Sequence, residues 1–188
     1  LPAYVVQFAS GQTSSTFQVL PPANSKVEAD ETFTVSLGAV TGGHGSLTAS
    51  AAAATGTITN DDSAVFSLRQ NESGLEDGGP ITFTIDLSNP VDEATSVTVS
   101  TSDGTASTAD SDYAALTAYV VHFAAGQTSA TFQVLPTADS KVEADETFTV
   151  SLGTVTGSDA RRVASACTAP GTITNDDSAV LSLRQNDR

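Results

Sequence analysis

The chain is 188 residues long and strongly acidic, with 7 Lys plus Arg against 22 Asp plus Glu for a formal charge of -15. That balance opposes binding to nucleic acid or to an anionic membrane and makes cations the natural partners. The single cysteine, Cys167, cannot form an intrachain disulfide, and no apolar run approaches the roughly 20 residues that a membrane span requires.

Residues 1–37 align with residues 116–152 at a constant offset of 115, and Lys26-Val27-Glu28-Ala29-Asp30-Glu31-Thr32-Phe33-Thr34-Val35-Ser36-Leu37 recurs unchanged as residues 141–152. Self-similarity at a fixed period marks a repeat array. We divide the chain into the C-terminal half of one repeat (1–62), a complete repeat (63–177) and the first strand of a following repeat (178–188). The chain thus reads as an excerpt from a longer array. Within the complete repeat, apolar and polar residues alternate over 65–70, 81–87, 97–99, 119–123, 132–134, 148–152 and 171–174. β-branched and aromatic residues dominate these runs, and the alanines at 51–54 are too few to form a helix alone. Seven short strands with turn residues between them predict an all-β fold, an antiparallel two-sheet β-sandwich in tandem repeats.

Antiparallel strands place successive loops at alternate ends of such a sandwich. Parity therefore assigns the loops 71–79, 102–116, 136–145 and 175–177 to one end. With them go Glu72, Glu76, Asp77, Asp103, Asp110, Asp112, Asp139, Glu143, Asp145, Asp176 and Asp177, with Glu146 at the margin. The opposite end carries Arg161 and Arg162. Carboxylates from four loops repel one another unless a cation neutralises them. An oxygen donor set without His or Cys favours Ca²⁺ over Zn²⁺ or copper, and over Mg²⁺, which demands a tight octahedron. The plainer alternative is a solvated acidic rim.

Thr101-Ser102-Asp103-Gly104-Thr105-Ala106, Ser111-Asp112-Tyr113, the 121–128 hairpin, the 143–152 acidic turn and strand, and Thr172-Ile173-Thr174-Asn175-Asp176-Asp177 together resemble the Calx-beta repeat. That module occurs in sodium/calcium exchanger regulatory loops, integrin β4 and large bacterial surface proteins. The resemblance implies an immunoglobulin-like sandwich whose distal loops bind Ca²⁺. Carried over by position, it implies Glu76, Asp112, Asp139, Glu143, Glu146, Asp176 and Asp177 as ligands. It implies a weaker partial copy at Glu28, Glu31, Asp61 and Asp62, beside Asn24. Ala138 and Asn175 stand where the strongest exchanger modules have aspartates, so one or two ions of modest affinity are expected.

Asp176-Asp177 runs into Ser178 with no flexible linker, so the cluster is expected at a junction between repeats, where Ca²⁺ would stiffen a head-to-tail rod. His44 and His122 are replaced by Asp159 and Gln7 in the other copy, which argues against a hydrolase. His122 is expected to face solvent, and Tyr113 and Tyr119 to be core or corner residues. The expected function is a non-enzymatic, calcium-binding structural repeat of an extracellular or cell-surface bacterial protein, serving as a spacer or adhesion stalk whose partners are calcium ions and neighbouring repeats. A module binding glycan or a cell-surface protein through the variable segment 157–170, or an accessory domain of a secreted hydrolase, remains open beside it. Residues 1–62 lack four strands and are expected to expose apolar faces and to self-associate or be disordered.

Overall fold

The computed structural model describes residues 4–43, 47–157, 162–164 and 167–185. Eleven strands and no helix occur among them. Two belong to the partial repeat, β1 (Glu31–Ser36) and β2 (Ala53–Ile58). Nine build the complete repeat: β3 (Ala64–Leu68), β4 (Glu72–Leu75), β5 (Ile81–Leu87), β6 (Thr95–Asp103), β7 (Tyr119–Phe123), β8 (Ser129–Val134), β9 (Glu146–Thr156), β10 (Arg162–Ala164) and β11 (Thr168–Thr174).

The nine form two sheets, ordered β10-β3-β5-β8 and β4-β11-β9-β6-β7. The longer strands turn their apolar sets inward, as in β5, where Ile81, Phe83, Ile85 and Leu87 are buried and the residues between them are not. Phe83 stacks on Phe132 at 5.4 Å and meets Phe148 edge-on at 5.9 Å, so aromatic contacts join the two sheets. Tyr113 lies flat on Phe148 at 4.7 Å. This is an immunoglobulin-like β-sandwich: the alternation predicts the two sheets, and the family resemblance implies the immunoglobulin-like form.

The chain changes sheets early. β3 pairs antiparallel with β5, whereas β4 pairs parallel with β11, matching Glu72 to Gly171 and Leu75 to Thr174. Asn71, at φ 65°, makes the crossover, in a region that asparagine tolerates better than most residues. Residues 72–75 were expected in a loop. Their Glu-Ser-Gly-Leu sequence carries little alternating signal, and the free edge of β11 is what makes them a strand. β10 likewise falls inside the expected loop 153–170 and pairs in parallel with β3. Residues 178–185, read as the first strand of a following repeat, form no strand. Tyr113 is buried at 3% exposure, as expected, but Tyr119, although it shares the inward parity of the buried Val121 and Phe123, is 50% exposed at the start of β7, the outer strand of its sheet. His122 does face solvent, whereas His44, Asp159 and Arg161 lie outside the described residues.

Contacts divide the chain into two units, Leu1–Asn24 with Thr32–Ile58, and Ser25–Glu31 with Thr59–Arg188. Among the described residues of the first unit, only β1 and β2 pair. Tyr4 and Phe8, which align with Tyr119 and Phe123 of β7, lie in no strand and are 76% and 58% exposed. Leu20 and Leu37 are exposed as well. The same local sequence makes a strand only where β6 offers a ladder to join. The turn chemistry is less dependent on context. Gln127 accepts the Ala124 N–H and donates to Ser129 O, and Gln12 makes the same two bonds with Ala9 and Ser14.

Across the β9–β11 ladder Gly171 faces Phe148, and a methyl group on Gly171 would come within 2.3 Å of the Phe148 ring. Gly56 and Phe33 repeat the arrangement at 2.4 Å. Because Phe148 is locked between Phe83 and Tyr113, Gly171→Ala is expected to destabilise the sandwich by about 1–3 kcal/mol. Urea unfolding checks this, and an unchanged midpoint would refute it.

Candidate metal centre

Three structural devices converge on the end of the sandwich where parity gathers the acids. The first is β4, whose pairing on β11 continues in the Glu76 N–H bond to Thr174 O at 3.1 Å. This fixes Glu76, only 7% exposed, beside the residues that follow β11. Carboxylate oxygens of Glu76, Asp176 and Asp177 lie within 4.8 Å of one another.

The second device ties the loop after β6 to its neighbours. Ala106 N–H bonds to Thr147 O at 2.9 Å, and Thr137 N–H bonds to Asp112 O at 2.9 Å, flanking an isolated antiparallel bridge between Tyr113 and Pro136. Gly104 is required here, since a Cβ on it would stand 2.3 Å from the Thr147 carbonyl oxygen. Asp103 braces the loop from within, accepting the Tyr113 hydroxyl at 2.7 Å and both the N–H and the hydroxyl of Thr108 at 3.2 Å. Burial and this carboxylate push the Tyr113 phenol up to about 12. The loop thereby delivers Asp112 to the start of β9, where Asp112, Glu143 and Glu146 offer carboxylate oxygens within 4.8 Å of one another.

Asn175 is the third device. Its side-chain oxygen accepts the Glu143 N–H at 3.2 Å, its amide donates to Asp177 O at 3.0 Å, and its own N–H bonds to Asp145 at 3.2 Å. An aspartate could accept but not donate, so the amide closes a bracket between the two carboxylate groups that an acid there would leave open. Sequence reasoning treated Asn175 as a missing charge. The signal that could have revealed its role was its recurrence as Asn60, which is 8% exposed and makes the corresponding bonds to Glu28, Asp62 and Asp30.

Of the seven residues anticipated as ligands, the structure gathers six into the two groups. Asp139 stands beside them, donating its N–H to Glu76 at 2.9 Å while its carboxylate accepts the Lys141 N–H and lies 3.9 Å from the Lys141 ammonium. Lys141 also pairs with Glu143. In the partial copy, Glu28 pairs with Lys26 at 3.0 Å. Glu28, Glu31, Asp61 and Asp62 form no three-carboxylate group among the described residues, consistent with the missing counterparts of Glu76 and Asp112. Asp77, Asp110 and Asp145 surround the groups without joining them.

The cost of assembling these charges is visible in their ionisation. Burial first, then Asp139, Asp177 and Glu143, raises the Glu76 carboxyl above its ordinary value, against the lowering effect of the Asp139 N–H. Burial, Asp112 and Glu143 do the same to Glu146. Asp77 is raised by its hydrogen bond and repulsion with Asp176. A small pocket lined by Glu76, Asp112, Glu143, Glu146, Ile173 and Asn175 lies between the groups. Flexible oxygen donors, partly dehydrated and mutually repelling, suit a hard divalent cation of Ca²⁺ type.

A family model described as the Calx-beta domain matches residues 2–62 and 59–177. Among solved structures, the apo form of the Calx CBD1 domain is 21% identical, with a TM-score of 0.54 over 62% of this chain and 100% of that one. The CBD12 structure from CALX1.2 is 22% identical, with a TM-score of 0.53 over 60% of this chain and 46% of that one. The structure titled calcium binding domain CBD12 of CALX1.1 is 24% identical at TM-score 0.53, and again 46% of that chain is covered. At these identities the likeness concerns the fold. Comparison with curated protein sequences returned no match.

A carboxyl raised in the folded state favours folding while protonated, so its contribution is present below the ordinary carboxylate range and is lost as pH rises through the raised value. Glu76, Glu146 and Asp77 all have that sign. Asp86, lowered by its Arg69 partner, and Asp103, lowered mainly by Tyr113, have the opposite one and lose their contribution as pH falls. In chelator, the melting temperature should therefore peak at mildly acid pH and decline as pH rises from the ordinary carboxylate range towards neutrality. Calorimetry showing a flat or rising profile across that interval would contradict the charge balance described.

Proposed function

The chain belongs to the Calx-beta domain family, and from that premise we propose that residues 63–177 form a Ca²⁺-binding structural module. The carrying observation is the pair of three-carboxylate groups, Glu76–Asp176–Asp177 and Asp112–Glu143–Glu146, set side by side at one end of the sandwich. Glu76 and Glu146 supply the partly dehydrated oxygens, Asp176 and Asp177 the more open ones, and Asn175 fixes the spacing between the groups. The ion supplies positive charge that cancels the repulsion raising Glu76 and Glu146. Asp139 lies close enough to Glu76 to serve as an additional ligand after a side-chain rotation away from Lys141. The partial copy would bind more weakly, having Glu28, Glu31, Asp61 and Asp62 but neither of the partners that β4 and the 104–116 loop deliver.

In an array of such repeats, the module would act as a spacer or adhesion stalk at a bacterial cell surface or outside the cell. The high acid content supports this reading, as does the direct passage of Asp177 into residues 178–185, which repeat 63–70 with one change. Calcium titration by calorimetry, comparing the wild type with Asp176→Ala/Asp177→Ala, should show one or two binding events. The double variant should be weakened by roughly tenfold or more, about 1.4 kcal/mol. Wild type without a binding heat, or a double variant with unchanged affinity, would overturn the assignment. Small-angle scattering of an array of two or more complete repeats should show a larger maximum dimension in Ca²⁺ than in chelator, and equal dimensions would remove the stiffening role.

A further inference from the structure

The identical segments 26–37 and 141–152 differ sharply in one respect. Val27 is 0% exposed, whereas its counterpart Val142 is 54% exposed. Val27 owes its burial to the complete repeat, where it forms a parallel bridge with Val91. The Val27 N–H donates to Pro90 O at 2.9 Å, and the Val27 carbonyl accepts the Asp92 N–H at 3.1 Å. Both valines are fully buried and belong to the same apolar core as Phe66 and Phe123. The receiving loop is itself rigid, since Val91 O accepts the Gly126 N–H at 2.7 Å and Asn89 donates to Ser63 O at 2.7 Å.

A valine at the tip of an acidic turn has no local reason to exist, since a turn flanked by Lys141, Glu143 and Asp145 is otherwise polar. Val27 shows what the position does when its receptor is present. Residues 178–185 repeat residues 63–70 with one change, Leu181 for Phe66, and they follow Asp177 in the same way as Ser63 follows Asp62.

We propose that Val142 is a docking knob, and that its occupant is the loop equivalent to Asn89-Pro90-Val91-Asp92 on a following repeat of the same kind. The clasp consists of two backbone hydrogen bonds and one buried valine pair, and it requires no metal. Val142 is nevertheless adjacent to Glu143, so the turn that faces the next repeat on one side presents carboxylates on the other. Docking and cation binding therefore share a single short segment while using different atoms of it.

The test uses the full chain extended after Asp177 by a second copy of residues 63–177, with Cys167→Ala in both copies to remove the native thiol, alanine being the residue at the aligned position 52. Cysteines replace Val142 and the Val91 of the added copy. Mild oxidation in chelator should give near-complete disulfide formation, as it should for Val27→Cys with Val91→Cys in the unextended chain. A control pair that joins Val120→Cys on the outer strand to the same added Val91→Cys should remain largely reduced. Crosslinking at Val142 no faster than in the control would overturn the proposal, as would failure of the Val27 pair. Calcium titration of the uncrosslinked chain reports separately. Loss of calcium binding with crosslinking intact would remove the metal reading alone, and the reverse result would remove the clasp alone.

Discussion

The short parallel ladder between β4 and β11 holds like charges at close range. Without it, Glu76 would belong to a mobile hairpin and could relax away from Asp176 and Asp177. With it, backbone bonds that end at Thr174 O keep the carboxylate in place and partly dehydrated. The repulsion is therefore a property of the fold, opposed by burial elsewhere: the Phe83, Phe132, Phe148 and Tyr113 cluster lies directly beneath the loops that bear the acids. Tyr113 couples the two layers, since its ring packs on Phe148 and its hydroxyl holds Asp103.

Strand periodicity and loop parity sufficed to bring Glu76, Asp112, Glu143, Glu146, Asp176 and Asp177 to one end, because each depends on side-chain alternation, which is written residue by residue. What escaped depends on partners distant in the chain. β4 is a strand because β11 has an open edge, and nothing in Glu72-Ser73-Gly74-Leu75 announces it. Asn175 looked like a deficit when charges were counted; its value as a donor emerges only when the Asp177 carbonyl is placed opposite it. Tyr119 was expected at the core or a corner, and its place at the start of an outer strand leaves it half exposed. The most direct demonstration is internal. Tyr4 and Tyr119 occupy matching places in nearly the same sequence, yet one lies in coil and the other in a strand, so non-local pairing contributes what local propensity does not.

The two copies also separate what is autonomous from what is contingent. The glutamine-clamped hairpin, the asparagine bracket and the glycine that accommodates a phenylalanine ring recur in both. All three are short-range or involve one neighbouring strand. The carboxylate groups do not recur, since they require four loops together. A repeat of this kind therefore retains the form of its acidic turn before it can bind anything with it, and binding capacity arrives only when the sandwich closes.

The same ladder has a mechanical consequence. Were tandem repeats of this kind put under tension, the force would enter at the start of β3 and leave at the end of β11. Because β4 and β11 run parallel, their loaded ends lie at opposite ends of the ladder, and pulling slides one strand along the other. The bonds between them are then sheared together instead of being peeled open one by one, so rupture requires several to break in the same event. The carboxylates just beyond Leu75 and Thr174 sit where that sliding would begin, and an ion bridging Glu76 to Asp176 and Asp177 would act as a bolt across the shear plane.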